Sequence, residues 1–271
     1  MPSYTDQLGR TINLSSAPQR IVSLVPSQTE LLFDLGLDNE VVGITKFCVH
    51  PSAWFHSKAR IGGTKSVKMD VIHQLQPDLI IANKEENVQE QVEALSAEYP
   101  TWISDITTLE DALDMIDKIG HITATQQKAT TIINTIKDRF AALTTHVARL
   151  LATNVSRPRT AYLIWRNPYM TIGGDTFIHD ILTRCGFINI FEDRQRYPDI
   201  TIEELQNSYC ELLLLSSEPF PFKAKHISEL GEMLPGTRIG LADGEMFSWY
   251  GSRLLHAPSY LEKLIDIAHE C

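Results

Sequence analysis

Apolar and polar residues change period along this chain in short blocks. Short, mainly apolar stretches at 20–25, 41–45, 77–82 and 101–104 read as strands, the first of them buried. Between them lie segments whose apolar residues recur every three or four positions, the spacing of one buried helical face. The first opens at Ser27–Glu30, read as a capping box, carries Leu31, Leu32 and Leu35, and stops at Gly36. Others cover 70–75, 88–98 and a segment opened by residues 107–110 and closed at Gly120. The second half resumes the alternation, with strands predicted at 159–165, 211–215 and 237–241. Its helices are predicted near 176–184, 201–207 and 252–270. Strand alternating with helix predicts parallel sheet with covering helices.

One stretch in the middle has a single period throughout. In residues 123–154, Ala129, Ile133, Ile136, Phe140, Leu143, Val147 and Leu150 follow at steps of three or four. No glycine lies between Gly120 and Gly173 and no proline between Pro100 and Pro158, so nothing breaks a helix there. At ~1.5 Å per residue it would run roughly 45 Å. The expected organisation is therefore an α/β chain of two Rossmann-like lobes, 1–121 and 156–271, joined by one backbone helix at 122–155, with a ligand cleft between the lobes.

The halves also echo one another. A shift of 133 positions lays Asp70 on Glu203, Asp78 on Glu211 and residues 79–82 on 212–215. Both Asp70 and Glu203 fall in the first turn of a predicted helix, where an acid suits the helix dipole. On corresponding surfaces of two lobes they would also suit a two-fold partner.

Composition narrows the function. A formal net charge of −10 argues against nucleic acid as a partner. No apolar run reaches the ~18 residues of a membrane span. The start has no secretion signal, which predicts an extracytoplasmic protein if a signal has been removed and a cytoplasmic one if Met1 is the native start. Cys48, Cys185, Cys210 and Cys271 form no CxxC pair and are expected to be free, mostly buried thiols. Catalytic motifs are missing, with no GxxxxGK, GxGxxG, GxSxG or HExxH, and no metal-ligand set is evident. His50 is expected to be structural or solvated. Gly62–Gly63 and residues 173–174 are expected to supply positive φ in turns.

In open α/β sheets ligands bind beyond the carboxyl ends of strands. Those positions carry Lys46, Phe47, Lys65 and Lys84 in the first lobe. In the second they carry Trp165, Arg166 and Tyr169, then Phe247, Trp249, Tyr250 and Arg253. Trp165 and Phe247 read equally as core. Cations and rings at strand ends of both lobes suit a ligand with negative groups and a bulky apolar body.

The ordered set RIVSLVPSQTELL at 20–32, GIT at 43–45, LQPDLIIA at 75–82, the central rod and CGFINIF at 185–191 resembles the ABC-transporter substrate-binding proteins called helical-backbone metal receptors. The resemblance implies a monomeric, non-catalytic carrier without a cofactor of its own. The metal would arrive inside the ligand, a corrinoid such as cobalamin, a ferric siderophore or haem. It also implies delivery to a membrane permease dimer through Asp70 and Glu203. The family's usual glutamate is aspartate at 70, which keeps the charge on a shorter arm. Thr64, Lys65, Asn83 and Lys84 depart from an all-aromatic lining and shift the expected ligand towards an anion. An intracellular ligand sensor or enzyme on the same scaffold is the alternative.

Overall fold

The computed structural model describes residues 2–153 and 155–269. Met1, Asn154, Glu270 and Cys271 lie outside the described residues, and with them the expected helix ends at 154 and 270 and the Cys271 thiol. The chain divides into two compact units. The first comprises Met1–Ile106, Glu110–Thr135 and Tyr250–Arg253, and the second Thr107–Leu109, Ile136–Trp249 and Leu254–Cys271.

The first unit is built on a five-stranded parallel sheet in the order Ala59–Arg60, Val41–Ile44, Ile21–Ser23, Leu79–Asn83, Thr101–Ser104. All residues of Ile21–Ser23, Leu79–Asn83 and Thr101–Ser104 are buried, which explains their mainly apolar composition. The second unit repeats the plan with a four-stranded parallel sheet ordered Ile188–Asn189, Arg159–Leu163, Leu212–Ser216, Arg238–Ala242. In both, an inner strand comes first in sequence, the next strand pairs on one side, where Ala59–Arg60 extends the first sheet, and the last two pair in succession on the other.

The equivalence holds to the residue. Helix Met69–Leu75 and strand Leu79–Asn83 become, 133 positions on, the starts of helix Ile202–Asn207 and strand Leu212–Ser216. Asp78 accepts the Arg20 N–H at 2.8 Å, and Glu211 accepts the Arg159 N–H at 2.7 Å. The Arg20 guanidinium donates to the Leu75 carbonyl at 2.8 Å, and that of Arg159 to the Ser208 carbonyl at 2.9 Å. Gln76 and Tyr209, also 133 apart, both take a left-handed backbone, φ 44° and 52°. Each pair satisfies the exposed backbone groups where a helix ends and the next strand begins.

The long helix runs Gln126–Ala152, 27 residues and about 40 Å. Its buried stripe is Ala129, Ile132, Ile133, Ile136, Phe140 and Leu143, with Val147 and Leu150 half-buried. It begins at Gln126 rather than 123 because Ala124 adopts φ 57°, which separates it from helix Leu109–Ile122. Gly120 lies inside that preceding helix instead of ending it. A side chain there would stand 2.4 Å from the Ala129 methyl, so glycine lets the two helices approach.

Other expectations need correction. Helix Pro26–Asp34 starts at its proline and makes no side-chain cap, so Ser27 sits inside the first turn. The strand at 159–165 ends at Leu163, because Ile164 and Trp165 turn to pair with Met170. The closing segment is a 3-10 turn, Ser252–Leu255, then helix Ala257–His269. Gly62 has φ 103°, but Gly63, Gly173 and Gly174 do not take positive φ. A Cβ at Gly173 would strike the Arg194 carbonyl oxygen at 2.3 Å and one at Gly174 that of Glu192 at 2.2 Å, so close backbone approach is the role of these two. Helices Ser52–Ser57, Ala224–Met233 and Gly244–Ser248 have no counterpart in the apolar periodicity.

Candidate functional site

In the first unit the carboxyl ends of the strands are locked by buried amides. Asn83 Nδ2 donates to Ser104 Oγ at 2.9 Å, and Gln28 donates to the same hydroxyl. Asn87 Oδ1 accepts the Asn83 N–H at 2.8 Å, and its Nδ2 reaches the Thr64 carbonyl at 3.0 Å. Asn83 Oδ1 accepts the N–H groups of Glu85 and Glu86, at 2.8 and 3.0 Å. This network fixes the loop that carries Lys84, Glu85 and Glu86. Lys84 Nζ stands 2.5 Å from Asp105, and Lys65 Nζ donates to the Glu85 carbonyl at 2.5 Å.

Phe47 is 51% exposed, and Lys46 Nζ lies 4.9 Å from its ring centre. Gly63 makes room for that ring, since a Cβ at 63 would lie 3.2 Å from it. Behind it, Cys48 is buried with its sulfur 3.1 Å from Thr29 and 3.2 Å from Thr45 hydroxyls, and burial pushes its thiol pKa up. Cys185 and Cys210 are likewise free and buried.

Tyr250 and Arg253, expected in the second lobe, pack into the first unit. The Tyr250 hydroxyl donates to Glu86 at 3.1 Å, and Arg253 grips Glu30 through two hydrogen bonds of 3.0 and 2.7 Å. Burial raises the Glu30 carboxyl pKa against the pull of Arg253. Gly251 permits the approach, because a Cβ there would meet the Ser27 carbonyl at 2.4 Å.

In the second unit Trp165, Arg166 and Tyr169 share the turn after strand Arg159–Leu163. Trp165 is 39% exposed and meets Phe220 edge-on with ring centres 5.8 Å apart. Arg166 pairs with Glu229 at 2.7 Å. Phe247 is instead committed to the interior, its ring centre 4.9 Å from that of Tyr162 and 6.4 Å from that of Tyr260. Trp249 is buried too, donating its indole N–H to Glu218 at 2.9 Å.

Glu218 is the residue sequence reading passed over. It follows strand Leu212–Ser216 and accepts from Ser248 and Trp249, both at 2.9 Å. Burial raises its pKa, with Glu245 and Asp243 pushing the same way against those two hydrogen bonds. With Ser217, Leu241, Ala242, Asp243 and Glu245 it lines a hollow of about 450 Å³ at the strand ends. A larger hollow, about 730 Å³, opens at the amino ends of the same sheet beside Tyr209, Glu211 and Arg238. Its Arg159 and Glu211 are already engaged in holding the strand starts. Among the described residues no group of three or more His, Cys, Asp or Glu side chains could hold a metal ion.

Two α/β units, each a parallel sheet presenting rings and charges at its carboxyl edge, with one long helix contributing to both, define a two-lobed ligand-binding protein. The chain belongs to the periplasmic binding protein family, whose sequence model matches residues 21–231. A vitamin B12-binding protein of Yersinia pestis (strain Pestoides F) is 25% identical over 212 residues, 74% of this chain and 71% of the relative. The crystal structure of the periplasmic vitamin B12 binding protein BtuF of Vibrio cholerae shares the fold at TM-score 0.79 and 20% identity, covering 94% of this chain and 99% of that one. The molybdate periplasmic binding protein MolA of Haemophilus influenzae does so at TM-score 0.81 and 14% identity, covering 98% and 92%.

Proposed function

We propose that this chain is the substrate-binding protein of an ABC importer, taking up a metal chelate outside the cytoplasm and handing it to a membrane permease. Membership of the periplasmic binding protein family across residues 21–231 carries this reading. Relatives named for vitamin B12 or haem support the choice of a chelate. The chelate's own donor atoms hold the metal, so the protein needs only to grip the periphery of its guest.

Phe47 and Trp165 are the exposed rings available for apolar faces. Lys46, Lys65, Lys84, Arg166 and Tyr169 would border the ligand, with Tyr250 and Arg253 steadying Glu86 and Glu30 behind them. Trp249 would act through Glu218, and Phe247 by supporting the sheet edge from inside. Asp70 and Glu203 would dock the permease, and one chain suffices because it contains both.

Calorimetric titration of the purified protein with cyanocobalamin, a ferric hydroxamate, a ferric catecholate and haemin checks this directly. At least one is expected to bind with a Kd of about 1 μM or tighter, in the range of about −8 kcal/mol. Silence with all four would remove the chelate-carrier reading.

A further inference from the structure

We infer that the chelate carried is neutral or cationic rather than anionic; this rests on the carrier reading above and assigns its ligand a charge class. Basic side chains at strand ends attract an anion only when their charge is not already met. Here most of it is met from within the chain. Lys84 is paired with Asp105 at 2.5 Å, Arg166 with Glu229 at 2.7 Å, and Arg253 with Glu30 through both guanidinium bonds. Lys65 has no acid partner among the described residues but is tied down by its bond to the Glu85 backbone carbonyl. Lys46 faces the Phe47 ring.

The second unit tilts the balance further. Its strand-end hollow is lined by Glu218, Asp243 and Glu245, with no lysine or arginine in the lining. An anionic chelate would have to break existing pairs, leaving carboxylates behind without partners, or lie against carboxylates directly. Both are unfavourable in a partly dry site, where a lost partner costs more than a new pair returns. A neutral guest needs only an exposed ring face, which Phe47 offers in the first unit and Trp165 in the second. A cationic guest gains both from those faces and from the acids. The net charge of −10 biases approach in the same direction.

The test is a titration series in which charge is the variable: cyanocobalamin (neutral), ferrioxamine B (cationic), ferric enterobactin and haemin (both anionic). It is run at about 20 mM and about 0.5 M salt, which screens surface charge to different extents. Cyanocobalamin or ferrioxamine B is expected to bind tightest, with both anionic chelates at least about tenfold weaker. Added salt should weaken ferrioxamine B and should not weaken an anionic chelate. If an anionic chelate binds tightest and salt weakens it, the charge assignment is overturned while the carrier reading stands. If none of the four binds, both fall.

Discussion

At the scale of single residues, Glu218 shows how a carboxylate can be kept at a strand end at a cost. Its donors Ser248 and Trp249 favour the charged form, yet burial and the neighbouring Glu245 and Asp243 outweigh them and raise its pKa above 4.5. A raised pKa means that the folded state holds the proton more tightly than the unfolded chain. Stability from this group is therefore greatest at low pH and declines as pH rises past 4.5 towards the folded value. Glu218→Gln keeps an acceptor for Trp249 and removes the charge. Thermal unfolding followed between about pH 4 and about pH 8 is expected to show the variant gaining on the parent as pH rises. Parallel curves would contradict this.

At the scale of elements, the Gln126–Ala152 helix is a case where periodicity alone sufficed. On its polar face Thr131, Thr135 and Thr145 return their hydroxyls to the carbonyls four residues earlier, while Lys128 and Arg139 donate to the Leu35 and Leu255 carbonyls. Its stability comes from the buried face, and Phe140, 4% exposed, is the largest side chain on it. Phe140→Ala is expected to lower unfolding free energy by about 3–5 kcal/mol, read by urea titration. Lys137→Ala, on the exposed face, should change it by less than about 0.5 kcal/mol. Equal effects would mean that the helix is not held by that stripe.

At the scale of the whole molecule, the repeat is the organising fact. Asp70 and Glu203 occupy the same second position of equivalent helices, both exposed, and neither carboxylate has a hydrogen bond or ion pair among the described residues. Carboxylates at matching positions of the repeat, engaged by no described residue, would suit the docking role proposed above. The double variant Asp70→Lys, Glu203→Lys is expected to bind its chelate within about threefold of the parent while losing transport by at least about tenfold in reconstituted permease vesicles. Loss of affinity with transport per bound ligand retained would assign these acids to the ligand instead.

Much of this was legible from the residues in order. Strands Leu79–Asn83 and Leu212–Ser216 are apolar up to their last residue, a pattern that points to burial on both faces. The 133-residue echo pointed to a repeat, though the left-handed Gln76 and Tyr209 that complete it carry no local sequence mark. Candidate site residues were harder. Reading cations at strand ends located Lys84 and Arg166, but not Asp105 and Glu229, which come from other elements and meet those charges. Tyr250 and Arg253 were assigned to the second lobe by position in the chain, whereas Gly251 lets their segment pack against Ser27 within the first unit.

Local periodicity and helix-breaking residues thus determined the α/β class, the long helix and the pairing of Asp70 with Glu203, because those properties depend on neighbours within a few positions. Tertiary structure alone decided which basic side chains are already paired and that Phe247 faces the interior, because ion pairing and burial depend on residues far apart in sequence.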